Sequence, residues 1–208
     1  MRKKLLWVLV ILTCGLATAI LTGCSSDDDK AEAKTEVTMM YYVKVTDDVL
    51  KVADVEVNYV DQTGAKKKEV LTSAEWKKTF SANALPLTEG LWAKITPKAS
   101  IAEGSYQLNL TTAAGYQAKL ATGKNVADAY GNNPDATPTA AQTADEVATW
   151  CAQSGTVAFT VSETGYAKVT KVDFGGNDDD DPDNGLATWL CEKFMKFWGY
   201  PLSYCARK

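Results

Sequence analysis

The chain has 208 residues and contains no histidine, which limits the chemistry its side chains can perform. Ser-His-Asp and Cys-His nucleophile relays, His-ligated zinc or haem, and an imidazole pH switch are excluded. Carboxylate, lysine, tyrosine and thiol chemistry remain. No spacing of acids singles out the carboxylate pair that glycoside hydrolysis requires. We therefore expect a protein that is not an enzyme, with no catalytic residues and no cofactor.

The acidic run at residues 178–183 is the candidate for a cation site. Calcium takes several oxygen ligands from a flexible loop, and three of these aspartates alternate as in such a loop. However, Asn184 and Leu190 stand where an EF-hand needs a glycine and a bidentate acid, and the other possible register fails at the turn glycine. We predict no metal site, but a solvated, self-repelling linker over residues 175–185.

Three cysteines follow the N-terminal region, and they cannot all pair with one another: Cys151, Cys191 and Cys205. One disulfide is expected in an exported protein. Cys191 with Cys205 would join the last predicted helix to the tail, whereas Cys151 with either partner would join that helix to the β-sandwich. Without histidine no activating base is recognisable, so we expect structural or idle thiols.

Aromatic side chains are the best candidates for binding. Trp92 is the most suggestive, because the alternation of Leu91, Ala93 and Ile95 places its ring on the opposite face, where it can stack on a sugar. Trp150 and Tyr130 are further candidates, in a loop-rich stretch at residues 121–155. Loops on a rigid sheet often carry binding residues, so this stretch is a candidate functional surface.

Strands must position these rings, since period-two alternation dominates from residue 36. A turn at residues 61–64 predicts a hairpin over residues 51–71. Residues 66–68, all lysine, indicate an edge strand protected from aggregation. The strand-like runs are residues 37–45, 55–59, 65–71, 76–80, 91–96, 106–111, 116–120, 156–162 and 166–174. Such a series predicts an all-β fold, an antiparallel two-sheet sandwich of immunoglobulin-like topology, with a barrel as the alternative.

Two helices are expected beside the strands. Within residues 121–155, Thr143 and Glu146 have capping-box spacing, which predicts a short helix ending near Cys151. Near the C-terminus, Leu186, Leu190, Phe194 and Phe197 recur at helical spacing before Gly199 and Pro201. This amphipathic helix either packs on the sandwich or docks on another protein. The side chains available for docking are Trp189, Phe194, Phe197 and Trp198.

The N-terminus has the order of an export signal: Arg2, Lys3 and Lys4 precede an apolar run. The run ends in Leu-Thr-Gly-Cys at residues 21–24, which resembles the lipobox at which bacterial prolipoproteins are cleaved and acylated. By that resemblance Cys24 becomes the lipidated N-terminus. Acyl chains then hold the protein on the membrane, and Ser25 in place of aspartate implies the outer membrane. The acids behind it resemble surface-export signals, although they also suit a plain linker.

These features divide the chain into five parts. The signal peptide covers residues 1–23, the lipidated flexible tether 24–35, the β-sandwich 36–174, the acidic linker 175–185, and the C-terminal helix and tail 186–208. We expect no nucleic acid partner. Cleavage removes three cations, which changes the net charge from −4 to −7, and it leaves Arg207 as the only arginine.

The leader, the acidic tether and the strand-turn-strand pattern of residues 42–64 together resemble small surface lipoproteins of gut anaerobes that carry one immunoglobulin-like β-sandwich. The resemblance covers residues 1–120 and implies no catalytic residues. We therefore expect a lipid-anchored outer-membrane protein at the cell surface that acts as a non-enzymatic binding module for a glycan or for a host or environmental macromolecule. The alternative is a structural partner in an envelope complex, docked through its C-terminal helix.

Overall fold

The computed structural model describes residues 34–132, 137–153, 155–175 and 199. The signal peptide, Cys24, the acidic run and the predicted C-terminal helix lie outside the described residues. About half of the described residues are in strands; every described strand pair is antiparallel, and most of the strands form two facing sheets. The fold is therefore an all-β sandwich, as the alternation of residues predicts.

Sheet A has four strands in the order β4-β1-β7-β8. Its central strands are long, and β1 pairs along most of its length with both neighbours. The members of sheet A are β1 (Glu36–Val45), β4 (Glu75–Ala82), β7 (Leu110–Lys119) and β8 (Asn125–Gly131).

Sheet B has five strands in the order β11-β10-β5-β2-β3. Its members are β2 (Ala53–Val60), β3 (Lys66–Val70), β5 (Leu87–Pro97), β10 (Gly155–Val161) and β11 (Ala167–Val169). A separate two-stranded sheet pairs β6 (Tyr106–Leu108) with β9 (Thr139–Ala141). The predicted hairpin is β2-β3, and the three lysines lie on β3 at the edge of sheet B, as expected.

Two short helices cover the ends of the sandwich. Helix α1 (Asp47–Val52) connects β1 to β2. The sequence analysis did not predict this helix. Helix α2 (Ala144–Cys151) begins at the predicted capping box, where Thr143 accepts a hydrogen bond from the Glu146 N–H and the Glu146 carboxylate accepts one from the Thr143 N–H.

The core lies between the sheets and contains the alternating residues of β1. Tyr41 is fully buried there, with Leu91 from β5 and Phe159 from β10. The Tyr41 hydroxyl donates to the Val60 carbonyl (2.9 Å) and accepts from the Gly90 N–H (3.3 Å). The last residue pair of the β2-β5 ladder is Tyr59 and Leu91. The Tyr41 hydroxyl from sheet A therefore links the two residues that follow this pair, Val60 on β2 and Gly90 on β5.

Three sequence predictions need correction. The gap expected between the strand-like runs 106–111 and 116–120 is absent, since β7 continues through Gly115, which pairs with Met40 of β1. Residues 121–155 are not only an inserted loop, because they contain β8, a full member of sheet A. Residues 166–174 are not one strand, since pairing ends with β11 at Val169.

Candidate functional site

Trp92 lies on the outer face of sheet B, opposite the buried side chains of Leu91 and Ala93. In the register its neighbours are Asn58 on β2 and Thr156 on β10. The ring is half-buried. The alternation along β5 therefore places it where the sequence predicts, on the face turned away from the core.

Residues 170–174 cross this outer face after β11 and form a segment that we call the strap. The Thr170 N–H donates to the Ala158 carbonyl (3.1 Å), and the Lys66 ammonium donates to the Asp173 carbonyl. Gly90 lies beneath the strap, where a Cβ would meet Val172 Cγ2 at 3.0 Å and Phe174 Cζ at 3.1 Å. Glycine is needed at this position because the strap approaches the strand so closely.

The strap places Phe174 beside Trp92. The two rings are stacked, with centroids 6.2 Å apart and planes inclined by 28°. The Lys94 ammonium lies 5.9 Å from the centre of the indole ring, within cation–π range. Trp92, Phe174 and Lys94 together form the outer aromatic patch. Sequence reasoning found Trp92 but assigned Phe174 to a strand.

Asn58 adds an unused donor next to this patch. It is 7% exposed, and its side-chain Nδ2 has no hydrogen-bond partner among the described residues. Nearby, Lys68 forms an ion pair with Glu56 (3.3 Å). The surface thus combines two aromatic rings with amide and ammonium donors, which suits a ligand with an apolar face and hydroxyl groups.

The structure does not bring the other two binding candidates to this patch. Trp150 is 6% exposed and packs in the core on α2, so its ring is not available for stacking. Tyr130 lies on β8 and points into the sandwich, 4.6 Å from Phe159 between ring centroids. Its hydroxyl donates to Asp128 Oδ2 (2.9 Å), and burial together with that carboxylate raises the pKa of Tyr130.

The remaining predicted site residues stand as follows. Cys151 is a buried free thiol whose pKa is raised by desolvation. Its proposed disulfide partners Cys191 and Cys205 lie outside the described residues. So do the docking candidates and the lipidation site: Trp189, Phe194, Phe197, Trp198 and Cys24.

Glu89 is a buried ionisable residue that the sequence analysis did not identify. Its carboxyl group is fully buried between the sheets, and neither oxygen has a hydrogen-bond partner among the described residues. Desolvation by burial raises the pKa of Glu89 well above its ordinary value, which favours the protonated form. Leu87, Glu89 and Leu91 alternate along β5 and therefore face the core together. This alternation could have predicted the burial of Glu89 from the sequence.

No group of potential metal ligands occurs within the described ranges. None of the helices in those ranges is long and apolar enough to cross a membrane. Comparison with protein-family models, with curated proteins and with solved structures finds no match to this chain.

Proposed function

We propose that this protein is a lipid-anchored surface lipoprotein whose sandwich acts as a non-enzymatic binding module for a glycan. The observation that carries the proposal is the outer aromatic patch. A half-buried tryptophan is stacked on a phenylalanine, beside an amide donor that has no hydrogen-bond partner among the described residues. Together they present an apolar surface rimmed by polar groups. Sugars offer the complementary surface, with C–H groups on one side and hydroxyl groups at the edge.

The anchoring part of the proposal rests on the sequence. The lipobox-like residues 21–24 supply a thiol for acylation, and the polar tether gives the domain a reach of roughly 20 Å by random-coil scaling. The immunoglobulin-like description is also part of the proposal. It is supported by the chain path, since β1 to β2, β3 to β4 and β4 to β5 each cross between the two sheets.

The proposal predicts that Trp92→Ala abolishes glycan binding. Removing the indole takes away most of the apolar contact area, and loss of such a central aromatic contact typically weakens binding by about tenfold or more. Binding is measured on a glycan array and then by calorimetry with the oligosaccharide that binds best.

Tyr166→Ala is the matched control. Tyr166 is an aromatic residue of sheet B with 59% exposure at the β10-β11 turn, outside the patch. Phe174→Ala is expected to weaken binding as well, because Phe174 supplies half of the stacked pair. Equal binding by the Trp92 variant and the unaltered chain would refute the proposed site.

A further inference from the structure

The outer face of sheet A is buried, although it is turned away from the core. Met40 is 0% exposed, and Ala113, Ala127 and Ala129 are 4%, 1% and 1% exposed. None of these four residues belongs to the core cluster between the sheets. They lie side by side on β1, β7 and β8, because Met40 faces Gly115 and Gly115 faces Ala129 in the register. We call these four residues the covered strip.

The cover stops at the edge strand. On β4, Thr79 and Ser81 share the same face as Met40 and are exposed. The main described elements that pack across onto sheet A are β5 and β10, which belong to the opposite sheet and meet its inner face. The covered strip therefore needs an occupant from beyond the described elements. That occupant must be apolar, since the strip presents one methionine and three alanines.

We propose that the occupant is the chain's own segment 186–198. Its Leu186, Leu190, Phe194 and Phe197 recur at helical spacing and form a stripe of large apolar side chains. A helix of this length is about 20 Å long, close to the width of four strands. Small residues on the sheet leave room for large ones on the helix. The polar tether lacks the large apolar side chains that such a cover needs. The inference rests here on the proposed function, under which the signal peptide is cleaved from the mature protein.

The chain length allows this placement. The described part before the segment ends at Gly175, beyond the outer aromatic patch on the opposite sheet. The ten residues 176–185 span up to about 33 Å when extended. Since facing sheets lie about 10 Å apart, this linker can carry the chain around the edge of the sandwich. Its aspartates suit a solvent-exposed path.

The test is thiol accessibility in the full mature chain, residues 24–208 with serine at positions 24, 191 and 205. Ala129→Cys is expected to react with a maleimide slowly, whereas Ser81→Cys on the uncovered part of the same face reacts fast. Adding Phe194→Asp is expected to speed labelling of Ala129→Cys by about tenfold or more, because the charge releases the segment. Labelling of Ser81→Cys should not change. The chain without an added cysteine corrects for the buried Cys151.

Three results would overturn the proposal. One is an Ala129→Cys labelling rate that does not respond to Phe194→Asp. Another is fast labelling of Ala129→Cys in the mature chain together with slow labelling in the precursor, which would identify the signal peptide as the occupant. A third is protection that increases with protein concentration alongside a dimer in sedimentation, which would identify a second copy.

A second measurement covers the case in which Phe194→Asp fails to fold. Met40→Glu introduces a charge into the covered strip, and Thr79→Glu introduces the same charge at its exposed neighbour on β4. Trypsin cleavage after Lys193 and Lys196 is expected to accelerate about tenfold or more in the first variant only. Circular dichroism confirms that both sandwiches remain folded. Equal cleavage rates in the two variants would contradict the proposal.

Discussion

Glu89 makes the stability of the sandwich depend on pH. In the folded protein its carboxyl is buried with no hydrogen-bond partner among the described residues, and burial raises its pKa well above the ordinary value. In the unfolded chain a glutamate ionises near its ordinary pKa of about 4.3. Above that pH the unfolded state releases a proton that the folded state retains. The free energy of unfolding therefore falls as the pH rises towards the raised pKa of the folded protein, by up to about 1.4 kcal/mol per pH unit.

Glu89→Leu is expected to stabilise the protein, and by more at pH 7 than at pH 5. Leucine of similar volume removes both the buried polar group and its linkage to protons. Urea unfolding at the two pH values measures the difference. Glu163→Gln, an exposed change at the β10-β11 turn, serves as the control. A Glu89→Leu gain that is the same at both pH values would show that Glu89 is not the source of the dependence.

Glu69 has the opposite effect at the open edge of the sandwich. Its carboxylate accepts hydrogen bonds from Tyr59 OH (2.7 Å), Trp76 Nε1 (2.9 Å) and the Lys78 ammonium. These donors, with Lys78 first, lower the pKa of Glu69 to about 2. Because the folded pKa lies below the unfolded one, the stabilisation is present above about pH 4 and is lost as the pH falls towards 2.

Glu69→Gln is expected to cost about 1 kcal/mol at neutral pH, a modest value because the carboxylate is partly exposed and water screens it. The gap between variant and unaltered chain should narrow steadily as the pH is lowered from about 4 towards 2, where about half of the folded-state Glu69 carboxyl groups are protonated. Denaturant titrations across this range measure it. Glu75→Gln on the exposed side of β4 provides the comparison and should change stability little.

At the scale of the secondary-structure elements, three hairpin turns have the same sequence pattern, backbone conformation and hydrogen bond. Each places Thr-Gly at its tip, with the glycine at positive φ: Gly64, Gly123 and Gly165 at 79°, 80° and 79°. In each, the residue three before the glycine accepts the glycine N–H through its carbonyl. Only glycine adopts this conformation without strain, so these turns fix the register of β2-β3, β7-β8 and β10-β11.

The three turns differ in the atoms that surround the glycine. Gly123 and Gly165 therefore form a matched pair for the same substitution. A Cβ at Gly123 would meet nothing within 4 Å, whereas one at Gly165 would lie 2.6 Å from Val126 Cγ2. Gly123→Ala is expected to cost about 1 kcal/mol from backbone strain alone. Gly165→Ala should cost more, about 2–3 kcal/mol, because the clash adds to the strain. Thermal unfolding of both variants measures the order, and equal losses would contradict the clash.

At the scale of the whole molecule, the orientation of the domain on the membrane can be tested directly. Under the proposed function, the lipid anchor presents the sandwich to the outside of the cell. Protease treatment of intact cells should then remove a C-terminal epitope while a periplasmic control protein survives. Survival of the epitope until the outer membrane is opened would place the domain in the periplasm, and its partners within the envelope.

The sequence predicts the parts of the fold that depend on local signals. The turn at residues 61–64 and the capping box at Thr143 are local, and both are confirmed. Strand β8 was missed because its two alanines have little strand preference and are buried on the outer face of sheet A, where an alternating strand is expected to carry polar residues. The strap was predicted as part of a strand. A segment that crosses the face of a sheet can show the same alternation of apolar and polar residues as a paired strand. Trp92 was found because its strand alternates clearly.

If the domain is anchored through its tether as proposed, the placement of β1 determines how the sandwich bears a pulling force. The tether would join the fold at Glu36, the first residue of a strand bonded on both sides to β4 and β7. A ligand held under flow on the far sheet would pull on β1 along its own axis. The hydrogen bonds of the β1-β4 and β1-β7 ladders would then be loaded together, along the strands, and would not open one after another. Paired strands resist a force along their axis better than a force that peels them apart.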